Sequence, residues 1–194
     1  MGLGAAGSAA FLALARRGVR VIGLDQFSPP HPHGSTHGRS RVIREAYYES
    51  PVYVPLVQAA YEAWDRIERD AGRRLLQVTG GVMLGSADCT LIRGALRSAR
   101  EHRLPHELLE TAALRTRLPA FVIPEGTMGV WEPRAGVLDP EACVTSCLEL
   151  AARAGAELRL NTRVTGWSPR GDGIRLETAA GPIECGRLIL AAGP

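Results

Sequence analysis

The chain opens on a glycine pattern that restricts its fold to few choices. Gly2, Gly4 and Gly7 form a Gly-x-Gly-x-x-Gly sequence within the first seven residues. In dinucleotide-binding folds the first glycine permits a tight turn and the second lets backbone N–H groups approach a pyrophosphate. The third lets the following helix pack closely on its sheet. A chain with 22 glycines can also contain such a triplet by chance, so the residues that follow decide its meaning.

Those residues continue in the order that a dinucleotide-binding fold requires. The segment from Ala5 to Arg17 predicts a helix that ends at Gly18, and Val19 to Leu24 predicts a strand. Asp25 follows about 20 residues after the glycines, where a carboxylate can bind a ribose hydroxyl, although an acid here is also common in an ordinary turn. No arginine directly follows Asp25 to hold a 2′-phosphate, so NADP is disfavoured.

Composition excludes several classes of protein. The 194 residues are 45% hydrophobic, enough for one sizeable core and part of a second. No apolar run approaches the roughly 18 residues of a membrane span. All 23 basic residues are arginines scattered among acids, which disfavours a nucleic-acid surface. The four cysteines follow no zinc spacing, and nothing indicates an oxidising compartment, so we expect the cytoplasm.

Helices and strands alternate along the rest of the chain. Apolar spacing predicts helices over residues 55–71, 86–103, 112–118 and 140–154. Strand-like segments fall at 41–47, 75–84, 128–132 and 136–138, and four more follow the last helix, at 156–160, 164–167, 174–178 and 187–192. The irregular stretch from Gln26 to Ser40 is long for a loop, and such loops are usually functional.

The stretch after Asp25 resembles a known family. Pro29-Pro30-His31, then Gly34-Ser35-Thr36-His37-Gly38 and Ser40-Arg41-Val42-Ile43-Arg44-Glu45-Ala46-Tyr47, closely resemble the monomeric sarcosine oxidase family of flavin amine oxidases, which includes N-methyltryptophan and pipecolate oxidases. The resemblance continues through Thr79-Gly80-Gly81 and Gly136-Val137-Leu138 to Gly193, and it covers about the first half of a family member.

The resemblance implies a fold class and a division into domains. The fold is α/β: a FAD-binding, Rossmann-like domain of the two-dinucleotide-binding type, lacking its first strand, with part of an α+β substrate domain. Residues 1–74 and 139–194 would form the FAD-binding domain and residues 75–138 part of the substrate-binding domain. No apolar strand precedes Gly2, and in this fold that strand normally lies at the centre of the sheet.

The resemblance also implies a reaction. FAD would oxidise the C–N bond of a secondary amino acid such as sarcosine to an imine, O2 would be reduced to H2O2, and the imine would hydrolyse. The partners would be a small amino-acid substrate and O2, with neither nucleic acid nor membrane, and the complete protein would be a monomer. Which secondary amino acid is used, and whether O2 is the true acceptor, stay open.

Site residues follow from the same resemblance. Gly2, Gly4 and Gly7 match the glycines that bind the pyrophosphate, and Asp25 matches the ribose ligand, with Gln26 beside it. The resemblance places Ser35, Thr36 and Arg41 in contact with the flavin, His37 beside its ring, Val164 at the adenine and Gly193 near the cofactor. Arg44 matches the arginine that binds the substrate carboxylate.

Residue chemistry supports the role of Arg44 and leaves alternatives for others. A planar guanidinium suits a carboxylate, and Arg41 and Arg44 are spaced so that an extended strand would turn them to opposite sides. The alternative is a pair of surface arginines in ion pairs. His31, His33 and His37 could form a metal cluster, but no nearby carboxylate supports one, and solvated loop histidines are the better interpretation of the first two.

Two hypotheses of different class remain. The lysine that these oxidases place over the flavin belongs to their second half, and this chain contains no lysine. The chain is therefore either a piece of a functional FAD-dependent amino-acid oxidase or a non-catalytic remnant that does not retain FAD. For the chain as it stands we expect weak or no flavin retention.

Overall fold

The computed structural model describes residues 1–193, which separate into two compact units. The first contains residues 1–40, 67–75 and the chain from Asp139 onward, and the second contains residues 41–66 and 76–138. The structure is mixed α/β, as the sequence predicts. The division into a FAD-binding and a substrate-binding domain is a statement about function and stays a prediction.

The first unit begins with the predicted helix and strand. Helix α1, Ala5–Arg16, starts at Gly4 and is followed by strand β1, Ile22–Leu24. Phe11 and Leu12 are buried together with Gly7, Ser8 and Ala15, and these five residues recur at the spacing of one helix face. Helix α5, Pro140–Arg153, packs against α1, and the side chain of Asp139 caps it by accepting the N–H of Ala142 at 2.9 Å.

Strands from both ends of the first unit form its sheets. Strand β8, Glu157–Arg159, pairs in parallel with β1, and Gly23 lies opposite Leu158. The predicted hairpin is present as β9, Val164–Arg170, and β10, Gly173–Thr178. Strand β11, Ile183–Cys185, which the sequence analysis missed, adds to β10. Leu24, Leu176 and Ile183 form the core between these strands.

The last predicted strand, residues 187–192, is wrong. This segment makes two strand-like hydrogen bonds to the first residue: the Met1 amino group donates to the carbonyl of Ile189 at 2.9 Å, and the Ala191 N–H donates to the carbonyl of Met1 at 2.8 Å. Two bonds are too few for a regular ladder. The Gly2 N–H donates to the carbonyl of Leu24 at 2.8 Å, so residues 1–3 lie between β1 and this segment.

The second unit holds two antiparallel sheets of three strands. In one, β2, Arg41–Ile43, and β3, Leu76–Val78, flank β7, Gly136–Leu138. In the other, β4, Gly81–Ser86, and β5, Glu107–Leu109, flank β6, Thr127–Glu132. Strand β2 ends at Ile43, not at residue 47 as predicted, and β5 was not predicted.

Helices complete the second unit. Helix α2, Val54–Ala71, begins there after a short 3-10 turn at Pro51–Tyr53, and α3, Thr90–Glu101, and α4, Thr111–Arg117, follow the predicted helices within a few residues. Ile92, Ala95 and Ala99 of α3 lie in one buried cluster with Ala46 and Val130. The strands of this unit therefore have a core that also encloses the chain just after β2.

None of the helices within residues 1–193 combines the length and the apolarity that crossing a bilayer requires.

Candidate functional site

The glycine turn has the geometry that its sequence predicts. Gly2 has φ +82°, in the left-handed region that favours glycine, and a Cβ there would lie 2.5 Å from the Cα of Ala192. A Cβ on Gly7 would lie 2.8 Å from the carbonyl carbon of Gly2. Gly7 therefore lets α1 begin directly against the turn, and the turn brings backbone N–H groups to the helix N-terminus.

The N-terminus of α1 is suited to an anion. Its N-cap, Gly4, has no side chain to satisfy the first N–H groups, and the first turn carries no acidic residue. The Ala5 N–H is met by the Thr36 hydroxyl oxygen at 3.2 Å. Because the first N–H groups of a helix and its dipole both favour negative charge, a phosphate group fits here.

Asp25 is held by the turn itself. Its carboxylate accepts the N–H of Leu3 at 2.8 Å through one oxygen and the N–H of Phe27 at 2.9 Å through the other. The His31 Nε2 lies 3.6 Å from the second oxygen. Asp25 is only 7% exposed. Its two hydrogen bonds tie the glycine turn to the end of β1, and the residue also lines a cavity.

A cavity of about 630 Å³ opens beside the turn, within the 300–1,000 Å³ range of small-molecule sites. Eight predicted cofactor residues line it: Gly2, Gly4, Asp25, Gln26, Ser35, Thr36, Val164 and Gly193. Thr162 and Arg163 also line it, and sequence reasoning missed both. The sequence feature that could have indicated these two residues was their position immediately before Val164.

Two predicted residues of the first unit lie outside this cavity. Gly7 does not line it and acts through its close approach to Gly2. His37 lines a second, open depression with Arg39 and Glu141, and its Nδ1 lies 2.6 Å from the carbonyl oxygen of Gly34. Within residues 1–193 no group of three or more His, Cys, Asp or Glu side chains could hold a metal ion.

Arg41 and Arg44 belong to the second unit. Arg41 lies on β2 and is exposed, whereas Arg44 follows the strand and is half-buried. The Arg44 guanidinium lies 4.7 Å from the centre of the Tyr47 ring, and its Nη2 lies 3.9 Å from a carboxylate oxygen of Glu49. Its Nε is buried without a hydrogen-bond partner. Arg44 thus keeps hydrogen-bonding capacity for a further acceptor.

Two buried acids next to Arg44 were not found from the sequence. Glu45 is 1% exposed and Glu132 is 2% exposed, and the Arg134 guanidinium lies 3.3 Å from Glu45. Burial raises the pKa of the Glu45 carboxyl; Arg134 opposes the rise and Glu132 adds to it. The available signal was the place of Glu132 two residues after Val130, on the same face of a largely apolar strand.

Comparison with known sequences identifies a family. Residues 1–194 match the family model described as "FAD dependent oxidoreductase". Monomeric sarcosine oxidase of Streptomyces avermitilis is 42% identical over 193 residues, and that of Bacillus sp. (strain B-0618) is 35% identical over 194. N-methyl-L-tryptophan oxidase of Yersinia pestis is 33% identical over 193 residues.

These relatives are longer than this chain. The three alignments cover 100% of the chain but 50%, 50% and 52% of the relatives, so the chain spans about half the length of the curated relatives that it matches.

Solved structures match the fold. The open form of NikD, described as an unusual amino acid oxidase essential for nikkomycin biosynthesis, has a TM-score of 0.88 and 27% identity, covering 100% of this chain and 50% of that one. Glycine oxidase from Geobacillus kaustophilus has a TM-score of 0.83, with 99% and 54% covered. At 19% identity this second likeness concerns the fold alone. The predicted fold class is confirmed, and the predicted cofactor, FAD, is that of the matched family.

Proposed function

Because the chain belongs to the FAD-dependent oxidoreductase family, we propose that its first unit holds the ADP portion of FAD and that the chain contributes to an amino-acid oxidase. The observation that carries this proposal is the cavity at the N-terminus of α1, lined by the glycine turn and Asp25. A turn that excludes side chains and a helix end without a cap suit a pyrophosphate, and a carboxylate at the end of β1 suits a ribose.

Each residue of the cavity has a proposed role. Gly2 and Gly4 let the backbone approach the pyrophosphate, and Gly7 keeps α1 close enough for its N–H groups to reach it. Asp25 accepts a hydrogen bond from a ribose hydroxyl while still bound to the N–H groups of Leu3 and Phe27. Thr36, whose hydroxyl meets the first turn of α1, closes the phosphate side of the cavity together with Ser35.

Gln26, Val164 and Gly193 complete the proposed cofactor site. Gln26 and Val164 line the cavity and would bound the adenosine portion, and Gly193, whose φ of +79° favours glycine, also lines it. Arg41 and His37 are proposed to contact the flavin, as the family resemblance implies.

The proposed reaction is oxidation of a secondary amino acid at its C–N bond. When bound, FAD would supply the two-electron acceptor, and O2 would be the final acceptor, reduced to H2O2. The amino acid loses two electrons and two protons and becomes an imine, and water then cleaves the imine to an aldehyde and an amine. Relatives named sarcosine oxidase and N-methyl-L-tryptophan oxidase support an N-methyl amino acid as the substrate, and the name of the first supports a monomer.

Arg44 is proposed to bind the substrate carboxylate. Its guanidinium is planar and always charged, and it can form two parallel hydrogen bonds to one carboxylate. The Tyr47 ring holds it from one side, and its Nε lacks a partner. The ion pair with Glu49 is long, at 3.9 Å, so a closer carboxylate can compete with it.

The test of the cofactor site measures ribose recognition by calorimetry on this chain. The wild type should bind ADP more tightly than 2′-deoxy-ADP by roughly tenfold or more, because a hydrogen bond to a charged group contributes about 1.5–3 kcal/mol. In Asp25→Asn this preference should fall to about threefold or less. A matched control is Asp172→Asn, at the exposed turn of the β9–β10 hairpin, which should keep the wild-type preference.

The preference between the two nucleotides separates ribose binding from damage to the turn. Loss of the hydrogen bonds to Leu3 and Phe27 weakens the binding of both nucleotides to the same extent, whereas loss of the ribose contact weakens only the binding of ADP. If Asp25→Asn keeps the full preference, Asp25 is not the ribose ligand. If the wild type binds neither nucleotide, the proposed nucleotide site of this chain fails.

A further inference from the structure

The segment that carries Arg44 is anchored on both sides. Before it, strand β2 pairs with β7, with Ile43 opposite Gly136, and this pairing ends at Ile43. After it, the N–H groups of Glu45 and Ala46 both point to one side chain, the carboxylate of Glu132. Arg44 therefore lies between a strand ladder and a buried carboxylate.

Both oxygens of the Glu132 carboxylate take part in this anchor. One oxygen accepts the N–H of Glu45, and the other accepts the N–H of Ala46 at 2.8 Å. Hydrogen bonds to an ionised carboxylate are stronger than neutral ones, and two on adjacent peptides fix both position and orientation. Glu132 is the last residue of β6, at the centre of the β4–β6–β5 sheet. The backbone after Arg44 is thus fixed to a different sheet from the backbone before it.

Further contacts hold the same segment. The Tyr47 N–H donates to the carbonyl of Glu45 at 2.8 Å, and the Ser98 hydroxyl of α3 donates to the carbonyl of Tyr47. Tyr47 carries the ring beneath the Arg44 guanidinium. The backbone and the aromatic support of Arg44 are therefore fixed by side chains that lie far from it in the sequence.

Formation of this anchor has a cost in folding free energy. Burial of a carboxylate costs free energy even when it is hydrogen-bonded, and a second carboxylate, Glu45, lies beside the first. The groups that face the pair are Arg134, 3.3 Å from Glu45, and Tyr61, whose hydroxyl donates to the Arg134 carbonyl at 2.6 Å. Both carboxylate oxygens of Glu45 are buried without a hydrogen-bond partner among the described residues. An apolar residue at 132 would avoid that cost but would leave two buried N–H groups without partners.

We propose that Glu132 is a positioning residue that sets the place and orientation of Arg44 for an amino-acid carboxylate. The inference rests on the proposed function, in which Arg44 binds that carboxylate. It adds that the geometry of the contact depends on the two hydrogen bonds to Glu132. A displacement of about 1 Å at a binding group can reduce its effect about a hundredfold, so a fixed backbone at residues 45 and 46 has a functional value.

The test uses nuclear magnetic resonance of this chain at a fixed pH of 7. Glu132→Gln keeps one acceptor oxygen and places an NH2 group where the other oxygen was, so one of the two anchors is lost. We expect hydrogen exchange of the Glu45 and Ala46 amides to accelerate about tenfold or more, and the Arg44 Nε–Hε signal to move. Acetate, used as the carboxylate probe, should need about fivefold or more higher concentration to shift that signal to its midpoint.

Matched controls separate positioning from general stability. Glu62→Gln removes an exposed glutamate of α2, with 74% of its side chain accessible, and should leave the exchange and the acetate midpoint unchanged. Glu132→Asp keeps the charge but shortens the reach by one methylene group. It serves as the test variant if the glutamine variant does not fold, and it should show the same direction of change.

The results of these measurements distinguish a positioning role of Glu132 from a role in fold stability alone. Faster amide exchange with an unchanged Arg44 signal and acetate midpoint would overturn the proposal, because Glu132 would then only stabilise the fold. If acetate does not shift the Arg44 signal in the wild type, the carboxylate-binding role of Arg44 fails separately. The positioning role is then judged by the Arg44 signal in the variants, since a moved signal supports it and an unmoved signal overturns it.

Discussion

Replacement of Gly7 by alanine should destabilise the first unit, because the glycine turn leaves no room for a methyl group. An added Cβ would lie 2.8 Å from the carbonyl carbon of Gly2, nearer still to its oxygen, and 3.4 Å from the Cβ of Ala191. Real Cβ contacts essentially never fall under 3.0 Å, and the obstacle is backbone, so a rotamer change cannot relieve the clash.

The expected size follows from two opposing effects. Overpacking against backbone costs about 3 kcal/mol, the upper part of the usual range. Gly7 lies in the first turn of α1, where alanine recovers at most about 1 kcal/mol of helix propensity. The net loss is therefore about 2 kcal/mol in the free energy of unfolding, or roughly 4–8 °C in Tm for a chain of this length.

Urea unfolding followed by tryptophan fluorescence measures the loss of stability. A matched control is Gly166→Ala on β9, where nothing lies within 4 Å of an added Cβ, and its free energy of unfolding should stay within about 0.5 kcal/mol of the wild type. If Gly7→Ala unfolds at the same urea concentration as Gly166→Ala, the close approach of α1 to the turn is refuted. ADP affinity should fall in Gly7→Ala alone, because the moved turn carries the N–H groups that are proposed to face the phosphates.

Two further outcomes test the second unit. In an active, flavin-loaded protein that contains this chain, Arg44→Ala should raise KM for a carboxylate-bearing substrate by about a hundredfold or more, since two charged hydrogen bonds are lost, and an unchanged KM would remove the role. Glu45→Gln should raise the free energy of unfolding at pH 7. Burial raises the pKa of the Glu45 carboxyl, so its stabilising contribution is complete below its unfolded pKa of about 4.3 and is lost as pH rises. The gain from Glu45→Gln, measured by urea unfolding, should therefore disappear near pH 3.5; an equal gain at both pH values would contradict this sign.

Local signals predicted much of the first unit. Gly2, Gly4 and Gly7 form a pattern that is complete within seven residues. The helix and strand after it are predicted by the spacing of apolar residues and by Gly18, which ends the helix. Residues 187–192 have the composition of a strand but form only two strand-like hydrogen bonds, both to Met1, because a regular strand requires a neighbouring strand that the local sequence does not specify. Strand β11 was not predicted because it has only three residues, and it is a strand through its pairing with β10, which the local sequence does not specify.

The candidate site was predictable where one short segment supplies it. Asp25, Gln26, Ser35 and Thr36 come from one stretch of the chain and line one cavity. The surroundings of Arg44 were not predictable in the same way, because Glu132 meets Ala46 across 86 positions of the sequence. Spacing rules relate residues that are only a few positions apart in the sequence. The role of a buried acid in a strand can therefore be interpreted only when its partners in the fold are known.

Asp25 couples the two parts of the proposed nucleotide site more tightly than its predicted role implies. Its carboxylate holds Leu3 of the glycine turn and Phe27 after β1, so the residue proposed to bind the ribose also fixes the turn proposed to bind the phosphates. A ribose hydroxyl bound to Asp25 would be a further ligand of a carboxylate that is already oriented by two peptide N–H groups. Because both oxygens are held before a nucleotide arrives, little orientational freedom is lost on binding. The same arrangement means that movement of the turn displaces the ribose ligand, and the effects of Asp25→Asn and Gly7→Ala on ADP binding should therefore not be additive.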